Sequence, residues 1–154
     1  MRMPCMPVYF WICINSFRHA LHFASSQGQN YDVIDLDPYG SASPFIDASM
    51  ANIADGGLLC VTCTDTAVLC ASYPESCYSK YGSIPLKGEV SHEAALRILL
   101  SSLEATASRH KKYIKPLLSC SIDFYIRVFI TVHESPAESK LSCTYILFEA
   151  TSYS

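Results

Sequence analysis

The sequence predicts an α/β fold in which helices pack on a partly parallel sheet. From residue 31 onward, short apolar runs typical of buried strands alternate with segments whose apolar residues recur at helical spacing. Half of the residues are hydrophobic and 16% are charged, which is typical of a chain that forms a core. The length of 154 residues suits one domain of ordinary size and is too short for two.

The first thirty residues differ from the remainder. Residues 8–14 form an apolar run that is too short to span a bilayer. Arg2 precedes this run, but no clear small-residue cleavage site follows it. A strand-like segment, or a non-native start fused to the domain, is therefore favoured over the alternative of a signal peptide. A short helix is predicted over residues 16–25, followed by a polar link.

The next predicted strand covers residues 32–37 and ends in an acid followed by proline. Pro38 cannot donate to a sheet ladder and keeps Asp37 extended, so the strand stops there. If the strand is parallel, the Asp37 carboxylate faces the crevice where open α/β sheets bind ligands. Tyr39 places a flat ring beside it, and Gly40 allows a sharp turn.

A helix is predicted over residues 44–54, with Ser43 as N-cap, Pro44 in the first helical position and Asp47 in the first turn. The Asp55-Gly56-Gly57 segment is expected to end this helix and to begin a strand over residues 58–64.

The second half of the chain continues the alternation. A loop is predicted over residues 71–88, preceded by one helical turn at 67–70. Ser91 is expected to cap a helix over 92–108, and two strands follow at 114–121 and 123–132. The apolar stripe of this helix is predicted to consist of Ala95, Ile98, Leu99 and Leu103. Residues 134–140 are interpreted as a polar linker and 141–148 as a further strand.

The eight cysteines are scattered and lie mostly inside apolar runs, where cysteine behaves as a small hydrophobic residue. Free thiols and an intracellular location are therefore favoured over a secreted disulfide framework. Cys60 and Cys63 have the spacing of a metal-binding pair, but in a strand their side chains point to opposite faces. No metal site is predicted.

The acid, prolyl carbonyl and aromatic ring of residues 37–39 suit a planar base that bears an exocyclic amino group. The oxygens would accept its N–H bonds while the ring stacks on its face. The alternatives are that Asp37 caps a turn and that Tyr39 packs on the sheet.

Five blocks, in order, carry a resemblance to a known family: DLDPYGSASPFIDA, GGLLCVTCTDTAVL, CYSKYG, SHEAALRILL and KPLLSCSIDFYIRVFI. Over about residues 31–132 the chain resembles the catalytic domain of the tRNA (guanine26-N2)-dimethyltransferases of the eukaryotic type. The resemblance implies a Rossmann-like methyltransferase sheet, S-adenosylmethionine as cofactor, tRNA as partner, and dimethylation of guanosine 26.

The resemblance also implies roles for the residues of the turn, and the other roles follow from positions in the sequence. Asp37 is the expected catalytic residue, which orients the guanine amine, and Pro38 and Tyr39 are expected to bind the base. Asp35, Thr64 and Asp65 lie at or near strand ends and are predicted to line the pocket, with simple solvation as the alternative for Asp35. Tyr78, Lys80 and Tyr81 suit a flipped base and a nearby phosphate, with a solvated surface loop as the alternative. Arg127 is expected to pair with Asp123.

The usual glycine-rich cofactor loop is absent, and in the family the cofactor-binding strands precede the Asp-Pro-Tyr-Gly block. The chain is therefore expected to be a fragment, with residues 1–30 divergent, 31–133 the carboxyl half of the catalytic domain, and 134–154 a linker and divergent tail. Half a sheet would leave the strand at 32–37 with an open edge.

Other functions remain open at this point. The net charge of −3 is of the wrong sign for a nucleic-acid binder acting alone. A non-catalytic RNA-binding or scaffolding remnant is the main alternative. The ordered blocks argue against an amino-group methyltransferase that acts on DNA or protein. No membrane association is predicted, and the oligomeric state cannot be predicted.

Overall fold

The computed structural model describes residues 9–12, 30–70 and 72–141. Within them, strands and helices alternate as an α/β fold requires. The strands are β1 (Tyr9–Ile12), β2 (Tyr31–Leu36), β3 (Ile53–Cys63), β4 (Lys112–Ile122) and β5 (Tyr125–Glu134). The helices are α1 (Ser43–Asn52), α2 (Thr66–Leu69), α3 (Pro74–Tyr81), α4 (Ser91–Arg109) and α5 (136–141).

The five described strands form one sheet in the order β1-β2-β3-β5-β4. The first three strands are parallel, and β5 pairs antiparallel with both β3 and β4. The sheet therefore combines a parallel βαβ unit with a terminal antiparallel hairpin, as the alternating pattern and the paired carboxyl-terminal strands predict.

Pairing between β1 and β2 corrects one expectation. The register runs from Tyr9 opposite Val33 to Ile12 opposite Leu36, so the edge of β2 is not open. The strand-like segment expected at residues 8–14 is thus confirmed over four residues. The helix expected over 16–25 and nearly all of the strand expected over 141–148 lie outside the described residues.

The core lies between the sheet and helices α1 and α4. Alternate residues of β5 are fully buried from Ile126 to Val132, as a strand with one face on a core requires. The apolar stripe predicted for α4 is confirmed, because Ala95, Ile98, Leu99 and Leu103 are all buried in this core.

Neither of the predicted serine caps is correct. The residue that precedes α1 is Ala42, while Ser43 is the first helical residue and its hydroxyl donates to the Lys80 carbonyl at 2.6 Å. Asp47 lies beyond the first turn, with its carboxylate 3.0 Å from Nε2 of His110. The residue before α4 is Val90, and Ser91 begins that helix without a side-chain cap. Pro44 is the second helical residue, one position later than predicted, and still lies in the first turn of α1.

The Asp55-Gly56-Gly57 segment also behaves differently from the prediction. Helix α1 ends at Asn52, and Ile53 is already extended and paired with Tyr31. The register of β2 with β3 then shifts, so that Val33 lies opposite Leu58. The glycines therefore form an irregularity inside β3 and do not terminate the helix.

The loop predicted over residues 71–88 contains helix α3. Pro74 lies in its first turn, and Gly82 ends it in the left-handed region with a φ of 71°. The helix has only eight residues, so its own propensity is marginal. It is stabilised by packing, because Cys77 and Tyr81 are buried in the core.

The polar linker predicted over residues 134–140 is also more ordered than expected. Glu134 is the last residue of β5, and residues 136–141 are helical. None of the helices in the described part of the chain has the length and hydropathy needed to cross a bilayer.

Candidate active site

The Asp-Pro-Tyr-Gly turn, residues 37–40, follows β2 at the carboxyl edge of the parallel strands. Two hydrogen bonds tie it to the residue that follows β3. The Gly40 N–H donates to Thr64 Oγ1 at 2.7 Å, and the Thr64 N–H donates to the Gly40 carbonyl at 2.9 Å. Gly40 has a φ of 84°, which a residue with a Cβ rarely adopts. Thr64, predicted to line the pocket, therefore holds the turn in place.

Asp37 and Tyr39 project from this turn. The Asp37 side chain is exposed, and its carboxylate has no hydrogen-bond or ionic partner within the described residues. This geometry does not support the alternative in which Asp37 caps a turn. Tyr39 is 86% exposed, so it does not pack on the sheet. Pro38 lies half-buried between them.

A second cluster joins α3 to the residue after Thr64. The Tyr81 hydroxyl lies 3.0 and 3.1 Å from the two carboxylate oxygens of Asp65 and 2.7 Å from the Ser41 hydroxyl. Lys80 Nζ forms an ion pair with Asp65 at 3.2 Å. Burial raises the pKa of Tyr81, so its hydroxyl stays protonated and can donate a hydrogen bond.

The three residues predicted on α3 thus have different environments. Tyr81 is 4% exposed, so its ring belongs to the core and does not offer a face to a base. Lys80 is partly exposed but paired with Asp65. Tyr78 is 64% exposed. Of the two tyrosines, only Tyr78 has a ring that could stack on a base.

Asp35 forms an ion pair that the sequence prediction missed. The Arg127 guanidinium binds both carboxylate oxygens of Asp35, at 2.8 and 2.9 Å, and also donates to Thr62 at 2.6 Å. The predicted pairing of Arg127 with Asp123 is therefore wrong. The guanidinium occupies both carboxylate oxygens of Asp35. Alternation along each strand places Asp35 and Arg127 on a polar face, but the sequence gives no signal that β2 and β5 lie on either side of β3.

The cysteines of β3 lie on opposite faces of the sheet, as predicted. Cys60 is beside Asp35 and Arg127, whereas Cys63 contacts the Tyr81 hydroxyl at 3.7 Å. The five cysteines in the described residues are free thiols: Cys60, Cys63, Cys70, Cys77 and Cys120.

The turn exposes a carboxylate and an aromatic ring at the edge of the sheet. A Rossmann-type cofactor also needs a glycine turn that lets its backbone approach closely. Among the described residues, the glycine at this edge is Gly40, which is bound to Thr64. These residues therefore do not themselves form a cradle for S-adenosylmethionine.

An exposed Asp-Pro-Tyr-Gly turn at the carboxyl edge of the parallel strands of an α/β sheet is the arrangement expected of a Rossmann-like methyltransferase domain. A sequence model of the family described as N2,N2-dimethylguanosine tRNA methyltransferase matches residues 12–152. The chain belongs to this family, which confirms the resemblance. The predicted division at residues 30 and 133 stays a prediction.

Several relatives show the same relationship. The chain is 56% identical over 115 residues to tRNA (guanine(26)-N(2))-dimethyltransferase 1 of Arabidopsis thaliana, with 75% of this chain and 19% of the relative covered. It is 56% identical over 116 residues to the Mus musculus tRNA (guanine(26)-N(2))-dimethyltransferase, with 75% and 18% covered. The chain spans about a fifth of the length of these curated relatives.

A solved structure shows the same fold. Trm1 from Pyrococcus horikoshii, in complex with S-adenosyl-L-methionine, superposes with a TM-score of 0.75 and 32% sequence identity. The match covers 79% of this chain and 33% of that one. The predicted fold class, a partial Rossmann-like methyltransferase sheet with helices packed on it, is confirmed.

Proposed function

We propose that this chain forms the acceptor side of a methyltransferase that uses S-adenosylmethionine to dimethylate N2 of guanosine 26 in tRNA. Family membership and the names of the relatives support this proposal. The observation that carries it is the exposed carboxylate of Asp37, free of any partner in the described residues, on a turn that Thr64 holds at the sheet edge.

The chemistry asked of Asp37 is to orient a poor nucleophile. The lone pair of the guanine amine is delocalised into the ring, so the amine must be held with that lone pair directed at the methyl group. Asp37 accepts one N–H of the amine, and the Pro38 carbonyl accepts the other. Such preorganised polar contacts are worth several kcal/mol, roughly 3 to 4 in measured cases. Asp37 is also positioned to take the proton that the amine loses.

The RNA contacts proposed on this chain come from the turn and from helix α3. Tyr39 and Tyr78 have exposed rings that suit base stacking. Lys80 lies on the same helix as Tyr78, and its partly exposed ammonium suits a phosphate. Because the net charge of the chain is −3, attraction to RNA phosphates has to come from individual cationic side chains and not from the overall charge.

A reducing, intracellular location is part of this proposal. The described cysteines are free thiols, and two of them, Cys63 and Cys77, are fully buried in the core. Buried free thiols of this kind are typical of proteins from a reducing compartment.

The test is transfer of a tritiated methyl group from S-adenosylmethionine to a tRNA transcript by the full-length protein. A transcript with adenosine at position 26 should accept no label. We expect Asp37→Ala to lower turnover by roughly 10²- to 10⁴-fold, with unchanged cofactor affinity. Asp32→Ala is the matched control, because Asp32 is an exposed acid at the other end of the same strand. Near-wild-type methylation by Asp37→Ala would show that Asp37 has no catalytic role.

The second candidate that the sequence left open is a non-catalytic RNA-binding or scaffolding role. Binding of tRNA by the wild-type full-length protein, without any methyl transfer, would favour this second function.

A further inference from the structure

The carboxyl-terminal turn of α3 contacts both segments that carry the candidate site. The Tyr81 hydroxyl lies 2.7 Å from Ser41, the residue after the Asp-Pro-Tyr-Gly turn, and 3.0 Å from Asp65. One residue earlier, the Lys80 carbonyl accepts from the Ser43 hydroxyl at 2.6 Å. Helix α3 thus bridges the exit of the turn and the end of β3.

The donors and acceptors in this cluster determine the direction of its hydrogen bonds. The Asp65 carboxylate can only accept, so the single hydroxyl proton of Tyr81 points to Asp65. The Ser41 hydroxyl must then donate to the Tyr81 oxygen. Its own oxygen accepts the Ser43 N–H at 3.2 Å. The result is a directed chain from the first turn of α1, through Ser41 and Tyr81, to Asp65.

Burial restricts this series of hydrogen bonds to one geometry. Tyr81 is 4% exposed and the Asp65 side chain 9%, so water cannot readily replace a broken bond. The Lys80 ammonium balances the Asp65 charge at 3.2 Å. The ring of Tyr81 is held in the core cluster, and this places its hydroxyl independently of the turn.

We propose that Tyr81 is a positioning residue for the Asp-Pro-Tyr-Gly turn. Its hydroxyl, anchored on Asp65, holds Ser41 and with it the exit of the turn. Thr64 binds the backbone of the same turn at Gly40, and Tyr81 binds the Ser41 side chain, so two successive residues after Tyr39 are held. The catalytic consequence rests on the proposed function, whereas the structural part does not.

Hydrogen–deuterium exchange on this chain tests the structural part. Tyr81→Phe keeps the buried ring and deletes the hydroxyl. We expect exchange of the amides in residues 40–43 to rise about tenfold, the equivalent of one lost hydrogen bond, with β5 unchanged. Tyr78→Phe is the matched control, since Tyr78 is on the same helix but exposed. Unchanged exchange at 40–43 in Tyr81→Phe would overturn the proposal.

A second variant keeps the test decisive if Tyr81→Phe does not fold. Ser41→Ala removes the other side of the same hydrogen bond from a partly exposed position. It should increase exchange at the amides of residues 40–42, whereas the Ser43 amide loses its own acceptor in this variant and is left out of the comparison. If Tyr81→Phe unfolds and Ser41→Ala leaves exchange unchanged, the proposal is wrong.

Kinetics of the full-length protein test the catalytic part. We expect Tyr81→Phe to lower kcat by roughly 10- to 100-fold, because small displacements of a reacting group are costly, while KM for tRNA stays within about twofold. The double variant with Ser41→Ala should be no slower than the worse single variant. A wild-type protein without activity would contradict the proposed function alone. An active wild type with full kcat in Tyr81→Phe would contradict the positioning role.

Discussion

Asp37 and Tyr39 are the least constrained side chains of the candidate site, although they are assigned its chemistry. Both are exposed, and Asp37 has no partner within the described residues. Their neighbours Gly40 and Ser41 are instead held by Thr64 and Tyr81. The contacts that hold the turn are thus made by its neighbours, and the exposed side chains of Asp37 and Tyr39 are left available to a ligand.

Replacing Tyr39 should separate RNA binding from stability. Because its ring is 86% exposed, Tyr39→Ala should leave the melting temperature unchanged. It should weaken tRNA binding by about 1 to 3 kcal/mol, the usual contribution of one base stack. Tyr39→Phe keeps the stacking surface and should bind like the wild type. Fluorescence anisotropy with labelled tRNA measures the tRNA affinity of both variants. Equal binding by Tyr39→Ala would show that no base stacks there.

The pair of Asp35 and Arg127 should contribute to folding. Both side chains are about three-quarters buried, so Arg127→Met leaves a poorly solvated carboxylate. We expect the free energy of unfolding to fall by about 1 to 3 kcal/mol. Adding Asp35→Leu should restore much of the loss. Arg97→Met, in an exposed ion pair with Glu93, should cost less than about 0.5 kcal/mol. Urea denaturation distinguishes these cases, and equal losses for both arginines would refute the argument.

Among the strands and helices, β3 and α3 differ most from what the sequence pattern predicts. Strand β3 begins directly after α1, and its register with β2 shifts around two glycines. Gly56 has a φ of 76°, whereas Gly57 lies against its neighbours. A Cβ at residue 57 would stand 2.9 Å from the Ala54 carbonyl and 2.7 Å from Ile53 Cγ1. The two glycines are thus required for different reasons.

Alanine substitution should reveal that difference. Gly57→Ala forces backbone atoms apart and should lower the free energy of unfolding by about 2 to 3 kcal/mol. Gly56→Ala meets open space and costs only the left-handed strain, about 1 kcal/mol. Chemical denaturation of the two variants is the measurement. A larger loss for Gly56→Ala than for Gly57→Ala would mean that close approach is not the constraint at residue 57.

The domain as a whole should lose stability in alkali. Burial raises the pKa of the Cys63 thiol from 9.0 to about 11, and it raises the pKa values of Cys60, Cys70 and Cys77 in the same direction. Below pH 9 both the native and the unfolded chain keep these protons. Between pH 9 and 11 the unfolded chain releases the Cys63 proton while the native chain retains it, so unfolding becomes easier.

We therefore expect the free energy of unfolding to be constant from about pH 7 to 8.5 and to fall by roughly 2 kcal/mol toward pH 11 through Cys63. Urea titrations across this range measure it. Cys63→Ala should make the decline shallower. A free energy of unfolding that stays constant to pH 11 would show that Cys63 is not protected.

The sequence by itself determined the parts of the fold that depend on neighbouring residues. Apolar periodicity predicts β2, α4 and the β4–β5 hairpin because side-chain direction repeats locally. The end of β2 at Asp37 follows from the missing N–H of Pro38. The ordered blocks were sufficient to indicate the family, and Asp37 as its candidate catalytic acid follows from the same residues.

Only the tertiary structure decided which distant residues meet. Tyr81 contacts Ser41 from 40 positions away, and Arg127 reaches Asp35 across 92 positions. Whether the ring of Tyr81 faces the core or a ligand depends on packing that a short polar helix does not encode. A hydrogen bond or ion pair needs two partners brought together in space, and local periodicity carries no information about the second partner.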